Sequence, residues 1–161
     1  MTHRSLIELA TPAAAALIAK RHSVAVAESS CGGLISAALV SIPGASAYYV
    51  GGGIIYTAQG GKALLPPRPS GMTAATEEFA LFEARSIREK MGTIWGIGET
   101  GASGPSGNPY GNPPGHACIA VSGPIDRVIT LATGSADREA NMWVFTAAAL
   151  DLLVTTLAQS S

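Results

Sequence analysis

Charge is scarce in this sequence: Asp, Glu, Lys and Arg supply only 13% of its 161 residues, about half the usual globular share of about 25%. With 47% of residues hydrophobic, the chain collapses, which excludes a disordered or polyampholyte protein. Ten bases against eleven acids leave a net charge of −1. No positive field exists for a phosphate backbone, so a nucleic-acid partner is excluded. Cysteine is almost missing. Cys31 and Cys118 show no CxxC spacing, so they cannot build a zinc framework, and a reduced, cytoplasmic protein is expected. His3, His22 and His116 are scattered without ligand spacing, and neither a metal nor a cofactor is expected. Long uninterrupted apolar runs are missing too. The stretch after His3 and Arg4 is broken by Glu8, Thr11 and Pro12 and ends at Lys20-Arg21, which fits neither a signal peptide nor a membrane span. The other apolar segments read as too short or too interrupted for the roughly 20 helical residues that cross a bilayer. A soluble protein with no membrane partner follows.

Glycine (19) and proline (10) are present in excess and predict extended loops. The length predicts a single domain over residues 1–161. Little charge, a mean hydropathy of +0.30 and the apolar Tyr48-Tyr49-Val50 beside a turn predict that copies of the chain bury one another's surface, as a dimer or trimer.

Helical spacing runs from Ser5 to Arg21 through Leu6, Leu9, Ala13, Leu17 and Ile18, with Pro12 a point of kink or break. Ser23–Ala27 reads as a strand, Glu28–Gly33 as a polar Gly-rich turn, and Leu34–Ile42 as a helix stopped by Pro43-Gly44. Gly51-Gly52-Gly53 interrupts the next apolar run, leaving Ile54–Thr57 as the firm part of a second strand. Three prolines make Pro66–Gly71 a loop. Thr73–Met91, acidic early and basic late, reads as a helix. Thr93–Ile97 reads as a strand and Gly98–Gly115 as a loop whose length hints at function. Cys118–Val121 and Val128–Leu131 read as neighbouring strands. Asp137–Ala158 reads as a closing helix that buries Trp143, Val144, Ala147, Leu150 and Val154. Together these predict an α/β fold, a three-layer α/β/α sandwich with a mixed, mostly parallel sheet.

Chemistry concentrates at Ala27-Glu28-Ser29-Ser30-Cys31-Gly32-Gly33, where a strand hands over to a helix N-terminus. Ligands bind at that edge of α/β sheets, and free amides there favour an oxyanion or a phosphate. A serine at this place reads equally as a helix N-cap. Cys31 reads either as a dipole-activated thiolate or as a buried inert thiol. Trp95 and Trp143 read as core residues. Tyr110, in the Asn108–Pro114 stretch, has two roles open, covering a pocket or meeting a partner subunit.

Several motifs, in order over nearly the whole chain, resemble the CinA C-terminal-domain family. The segment Ala27–Gly33 is similar to its A-E-S-C-T-G-G signature, and Ser41–Ser46 to its D-I-P-G-S-S helix exit. Gly53–Thr57 resembles its G-F-V-T-Y-S strand, and Thr100–Gly107 its Gly-rich (T/S)-G-I-A-G-P loop. Gly115–Val121 resembles its G-T-V-x-I-A-V strand, and Ala136-Asp137-Arg138 its G-D-R helix start. The characterised activity of that family is nicotinamide-nucleotide amidase. The resemblance therefore implies a small-molecule nucleotide substrate, nicotinamide mononucleotide, deamidated through a serine nucleophile. By position it implies Ser29 as nucleophile, with Tyr56 and Thr100 lining the pocket and Arg138 holding the phosphate or the carboxamide end. Ser30, Cys31, Gly32, Gly33, Gly101 and Gly104 complete the implied binding loops, with amides near Gly32 and Gly33 holding the oxyanion. The family's general-base lysine stands five residues after the tyrosine, where this chain has Gly61, followed by Lys62. Lys62 is then the candidate base. The alternative is a non-catalytic nucleotide-binding or regulatory protein that has lost that base.

Overall fold

The computed structural model describes residues 3–161. The chain runs α1 (Leu6–Lys20), β1 (Val24–Glu28), α2 (Leu34–Val40), β2 (Tyr49–Ile54), α3 (Ala58–Leu64), α4 (Glu77–Met91), β3 (Trp95–Ala102), β4 (His116–Ser122), β5 (Arg127–Ala132) and α5 (Arg138–Gln159). One five-stranded sheet has the order β2-β1-β3-β4-β5. β1 pairs in parallel with β2 and β3, whereas β4 runs antiparallel to β3 and β5. Four strands therefore share one direction and β4 alone opposes them, the mixed α/β sheet that the sequence predicts.

Alternation along the strands splits the core in two. Val24 and Val26 of β1, Trp95 and Ile97 of β3, and Ala117, Ile119 and Val121 of β4 pack under α1, α2 and α5. Ala25 and Ala27 pack on the opposite face with Ile87 of α4, and Ala80 and Ala84 of α4 meet Cys118 and Ala120. That second face is lined by small residues because α4 lies almost on the sheet. A Cβ at Gly98 would stand 2.1 Å from the Ala80 carbonyl oxygen.

The structure corrects several sequence expectations. Pro12 does not break α1, whose capping box joins Ser5 to Glu8 and whose helix runs on to Lys20. The second strand is Tyr49–Ile54, not Ile54–Thr57, so the three glycines lie inside it. At Gly52 the reason is the close approach of β1: a Cβ there would lie 2.0 Å from the Val26 carbonyl oxygen. Thr57 instead caps α3, its side chain accepting the Gly60 amide at 3.2 Å. β3 continues through Ala102, five residues into the expected loop, paired to β4 throughout. Leu150 is buried on α5 as expected, but the rest of the buried stripe is Asn141, Phe145, Ala149, Leu153 and Leu157, rotated from the expected one, and Val144 is exposed. α5 is also, by length and composition alone, long and apolar enough to cross a membrane, contrary to the expectation of short apolar segments. Half of its apolar window is buried inside the protein, where it packs on α1, α2 and β4 as a core helix. Trp95 is a core residue as expected, its Nε1 donating to His22 Nδ1 at 3.0 Å, whereas Trp143 is only half-buried and stacks on His3.

Candidate functional site

At the C-terminal ends of β1 and β3, on the α4 side of the sheet, lies a cavity of about 790 Å³, the size that small-molecule sites occupy. Ser29, Ser30, Tyr56, Lys62, Thr100, Gly101, Gly104 and Arg138 all line it, brought together from five separate stretches of chain. Phe79 and Phe82 of α4 form an apolar wall, and Arg68 lies over the Phe79 ring at 5.5 Å. The lining carries three cations, Lys62, Arg68 and Arg138, and no carboxylate. Such a cavity suits an anionic ligand with an apolar, planar portion.

The adjacent serines have different surroundings. Ser30 is buried and its hydroxyl donates to Glu99 Oε1. The Ser29 hydroxyl lines the cavity and makes no hydrogen bond among the described residues. Thr100 Oγ1 accepts the Ala75 amide at 3.0 Å, tying β3 to the stretch that leads into α4. Arg138, the first residue of α5 after the N-cap Asp137, donates to the Gly104 carbonyl and, at 2.6 Å, to the Tyr56 hydroxyl. It thereby links the loop after β3 to the segment after β2 at the cavity rim.

Lys62 sits in the last turn of α3, exposed, lining the cavity without a hydrogen bond to Ser29 among the described residues. Gly61, also on the lining, precedes it on the same short helix. A helical turn therefore carries Lys62.

Three expected binding residues fall outside the cavity lining. Cys31 is fully buried in the core under α1, α2 and α5, and burial together with the nearby Glu99 pushes its thiol up, so it is an inert thiol. The Gly33 amide donates to Glu28 Oε1 at 2.8 Å and the Gly32 amide to the Ser29 carbonyl at 3.0 Å. Neither amide is free to hold an oxyanion. The physical reason is a pair of buried carboxylates under the turn. Glu28 gathers the amides of Gly33, Ile35 and Ser36 and the Ser36 hydroxyl, while Glu99 gathers the amides of Ser29 and Cys31 and the Ser30 hydroxyl. Sequence reasoning assigned neither acid a role. The available signal was an acid inside an otherwise apolar strand, since a buried carboxylate needs donors. His116, at the start of β4, lies with Nε2 at 2.8 Å from the Ala75 carbonyl oxygen, and no group of three potential metal ligands occurs among the described residues.

Tyr110 lies exposed at the tip of a braced loop on the cavity rim. Asn108 Oδ1 accepts the amides of Tyr110 and Asn112, both at 3.0 Å, and its side-chain amide donates to Asn112 Oδ1.

Comparison with known proteins agrees with this fold. The family profile described as the CinA C-terminal domain matches residues 6–157. A CinA-like protein of Gloeobacter violaceus is 35% identical over 152 residues, covering 90% of this chain and 35% of the relative. A CinA-like protein of Desulforapulum autotrophicum is 33% identical over 142 residues, covering 85% and 33%. The chain thus spans about a third of the length of the curated relatives it matches. Among solved structures, a competence-damaged protein (CinA) superfamily protein of Klebsiella pneumoniae superposes with a TM-score of 0.91 at 25% identity, over 98% of this chain and 100% of that one. A competence/damage inducible protein of Agrobacterium tumefaciens gives 0.86 at 25% identity over 99% of each.

Proposed function

The chain belongs to the CinA C-terminal domain family, and on that premise we propose that it is an amidohydrolase of pyridine nucleotides that deamidates nicotinamide mononucleotide through Ser29. The observation that carries this reading is the cavity itself: an unbonded serine hydroxyl at a strand end, an apolar wall, and three cations with no carboxylate on the lining. Ser29 Oγ attacks the carboxamide carbon while Lys62, reacting as its neutral amine, takes the proton and becomes the ammonium. The positive lining stabilises the oxyanion in place of the Gly32 and Gly33 amides. The proton passes to the leaving nitrogen, ammonia departs, and water then hydrolyses the acyl-serine to the nicotinate nucleotide. Arg138, oriented by the Gly104 carbonyl and the Tyr56 hydroxyl, and Arg68 hold the phosphate. A cytoplasmic dimer or trimer accords with this reading, since Val50 and Ile54 stand exposed on the edge strand β2.

A second reading, nucleotide binding without turnover, is favoured by Lys62, which makes no hydrogen bond to Ser29. Ammonia release measured on nicotinamide mononucleotide and on its phosphate-free riboside separates the two. Turnover of the nucleotide well above the riboside supports the amidase. Tight nucleotide binding with no ammonia from either supports the binder.

A further inference from the structure

The turn that presents Ser29 to the cavity rests on a carboxylate that the proposed reaction does not use. Glu99, fully buried on β3, accepts the Ser29 amide at 2.9 Å and the Cys31 amide at 3.0 Å on Oε2, and the Ser30 hydroxyl on Oε1. Three consecutive residues thus donate to one side chain 68–70 positions away in sequence. Among charged groups Glu28 from β1 acts on it, and its own charge in turn acts on the Cys31 thiol of the turn, Glu83 from α4 and the Cys118 thiol from β4. None of these is a cation. Burial pushes the Glu99 carboxyl up, and the three donors of the turn pull it back down. The charge on Glu99 and the shape of the turn therefore stabilise each other.

We infer that Glu99 is a positioning residue, which clamps the Ser29–Cys31 turn so that the Ser29 hydroxyl stands in the cavity while the Ser30 hydroxyl is withdrawn. The inference rests on the reading of Ser29 as nucleophile. Protonation of Glu99 on Oε1 leaves Oε2 to accept the two amides and turns the Ser30 hydroxyl into an acceptor, so the clamp keeps its connectivity but loses its charge-assisted strength as pH falls through the raised Glu99 value. Glutamine at this position keeps one acceptor oxygen for the two amides and turns its NH2 toward the Ser30 hydroxyl, which is able to accept. It holds the clamp in that neutral form at every pH.

Two measurements test this. In the first, wild-type Ser29 and Cys31 amide resonances are followed by NMR against pH, together with the Glu99 side-chain carboxyl carbon. The expected result is that both amides move with Glu99 and that the movement disappears in Glu99→Gln. Amides that stay still while Glu99 titrates overturn the clamp, whatever the activity. In the second, Glu99→Ala is expected to lower kcat by about tenfold to a hundredfold with KM little changed. Glu99→Gln restores part of that loss and removes the Glu99 step from the kcat profile, its rate matching that of the wild type below that step. A Glu99→Gln enzyme as slow as Glu99→Ala, or a Glu99→Ala enzyme with wild-type kcat, contradicts a positioning role. If the wild-type protein releases no ammonia, the amidase reading fails by itself, and the amide titration still decides the clamp.

Discussion

Replacing Glu28 with glutamine tests how far the fold depends on a buried carboxylate acting as a helix cap. α2 is only seven residues long, and its N-cap, Gly33, has no side chain with which to cap it. Glu28 does this from β1: Oε1 accepts the Gly33 and Ile35 amides at 2.8 and 3.1 Å, and Oε2 accepts the Ser36 amide and hydroxyl at 2.9 and 2.7 Å. Glu28→Gln changes one of those oxygens into a donor, so at least one backbone amide then faces an NH2 group. A bond to a charged acceptor contributes about 1.5–3 kcal/mol, and an orphaned buried donor costs about 1–3 kcal/mol. The Ser36 hydroxyl offsets part of this by turning to accept. The expected net loss is about 2–4 kcal/mol, which at about 2–4 °C per kcal/mol for a chain of this size lowers Tm by roughly 4–16 °C. Urea unfolding followed by tryptophan fluorescence measures it directly, because Trp95 is fully buried. Ser36→Ala, which removes only the hydroxyl contact, serves as reference and is expected to cost about 1 kcal/mol. A Glu28→Gln protein within about 0.5 kcal/mol of wild type, the range of a neutral surface change, would refute the capping role.

Two glycine substitutions should move stability in opposite directions under the same assay. Gly52→Ala drives a Cβ against the Val26 carbonyl oxygen, at 2.0 Å, and is expected to cost about 3 kcal/mol or more. Gly60→Ala has only Thr57 Oγ1 at 3.7 Å to meet inside α3 and is expected to stabilise by about 0.5–1 kcal/mol. Arg138→Ala should raise KM for nicotinamide mononucleotide about tenfold or more while leaving Tm nearly unchanged, because the arginine is exposed and acts at the rim. Glu83 is buried on α4 with neither carboxyl oxygen bonded, and burial followed by the Glu99 charge pushes its carboxyl well up. The folded state therefore holds a proton that the unfolded state releases, so its contribution is full below the ordinary carboxylate range and is lost as pH rises through the raised value. Glu83→Met should flatten that decline in urea stability between acid and neutral pH, and an unchanged pH slope would count against it.

The helices and their order are legible in the sequence because apolar spacing and caps are local signals. α4 shows this: acids lead, bases close, and Thr76 caps it. β2 escapes such reading because Gly52 answers to the close approach of β1, a tertiary fact. α3 escapes it because Gly60 and Gly61 dilute its helical propensity, although Thr57 is an ordinary N-cap signal. At the site, motif order brings Ser29, Tyr56, Lys62, Thr100 and Arg138 to one cavity. The same motifs mislead at Cys31, Gly32 and Gly33: the Cys31 and Gly33 amides look free until Glu99 and Glu28 fold beneath them, and the Gly32 amide turns back to the Ser29 carbonyl. Arg68 and Tyr110 join the lining from loops whose paths no periodicity encodes.

Ammonia released from nicotinamide mononucleotide by the wild-type protein and by Ser29→Ala, measured side by side with nucleotide binding, bears most directly on the role of Ser29. The predicted result is steady release by the wild type, release at background by Ser29→Ala, and nucleotide binding retained in both. Equal rates from the two proteins, or a wild type that binds the nucleotide and releases no ammonia, would contradict a serine amidase at this cavity.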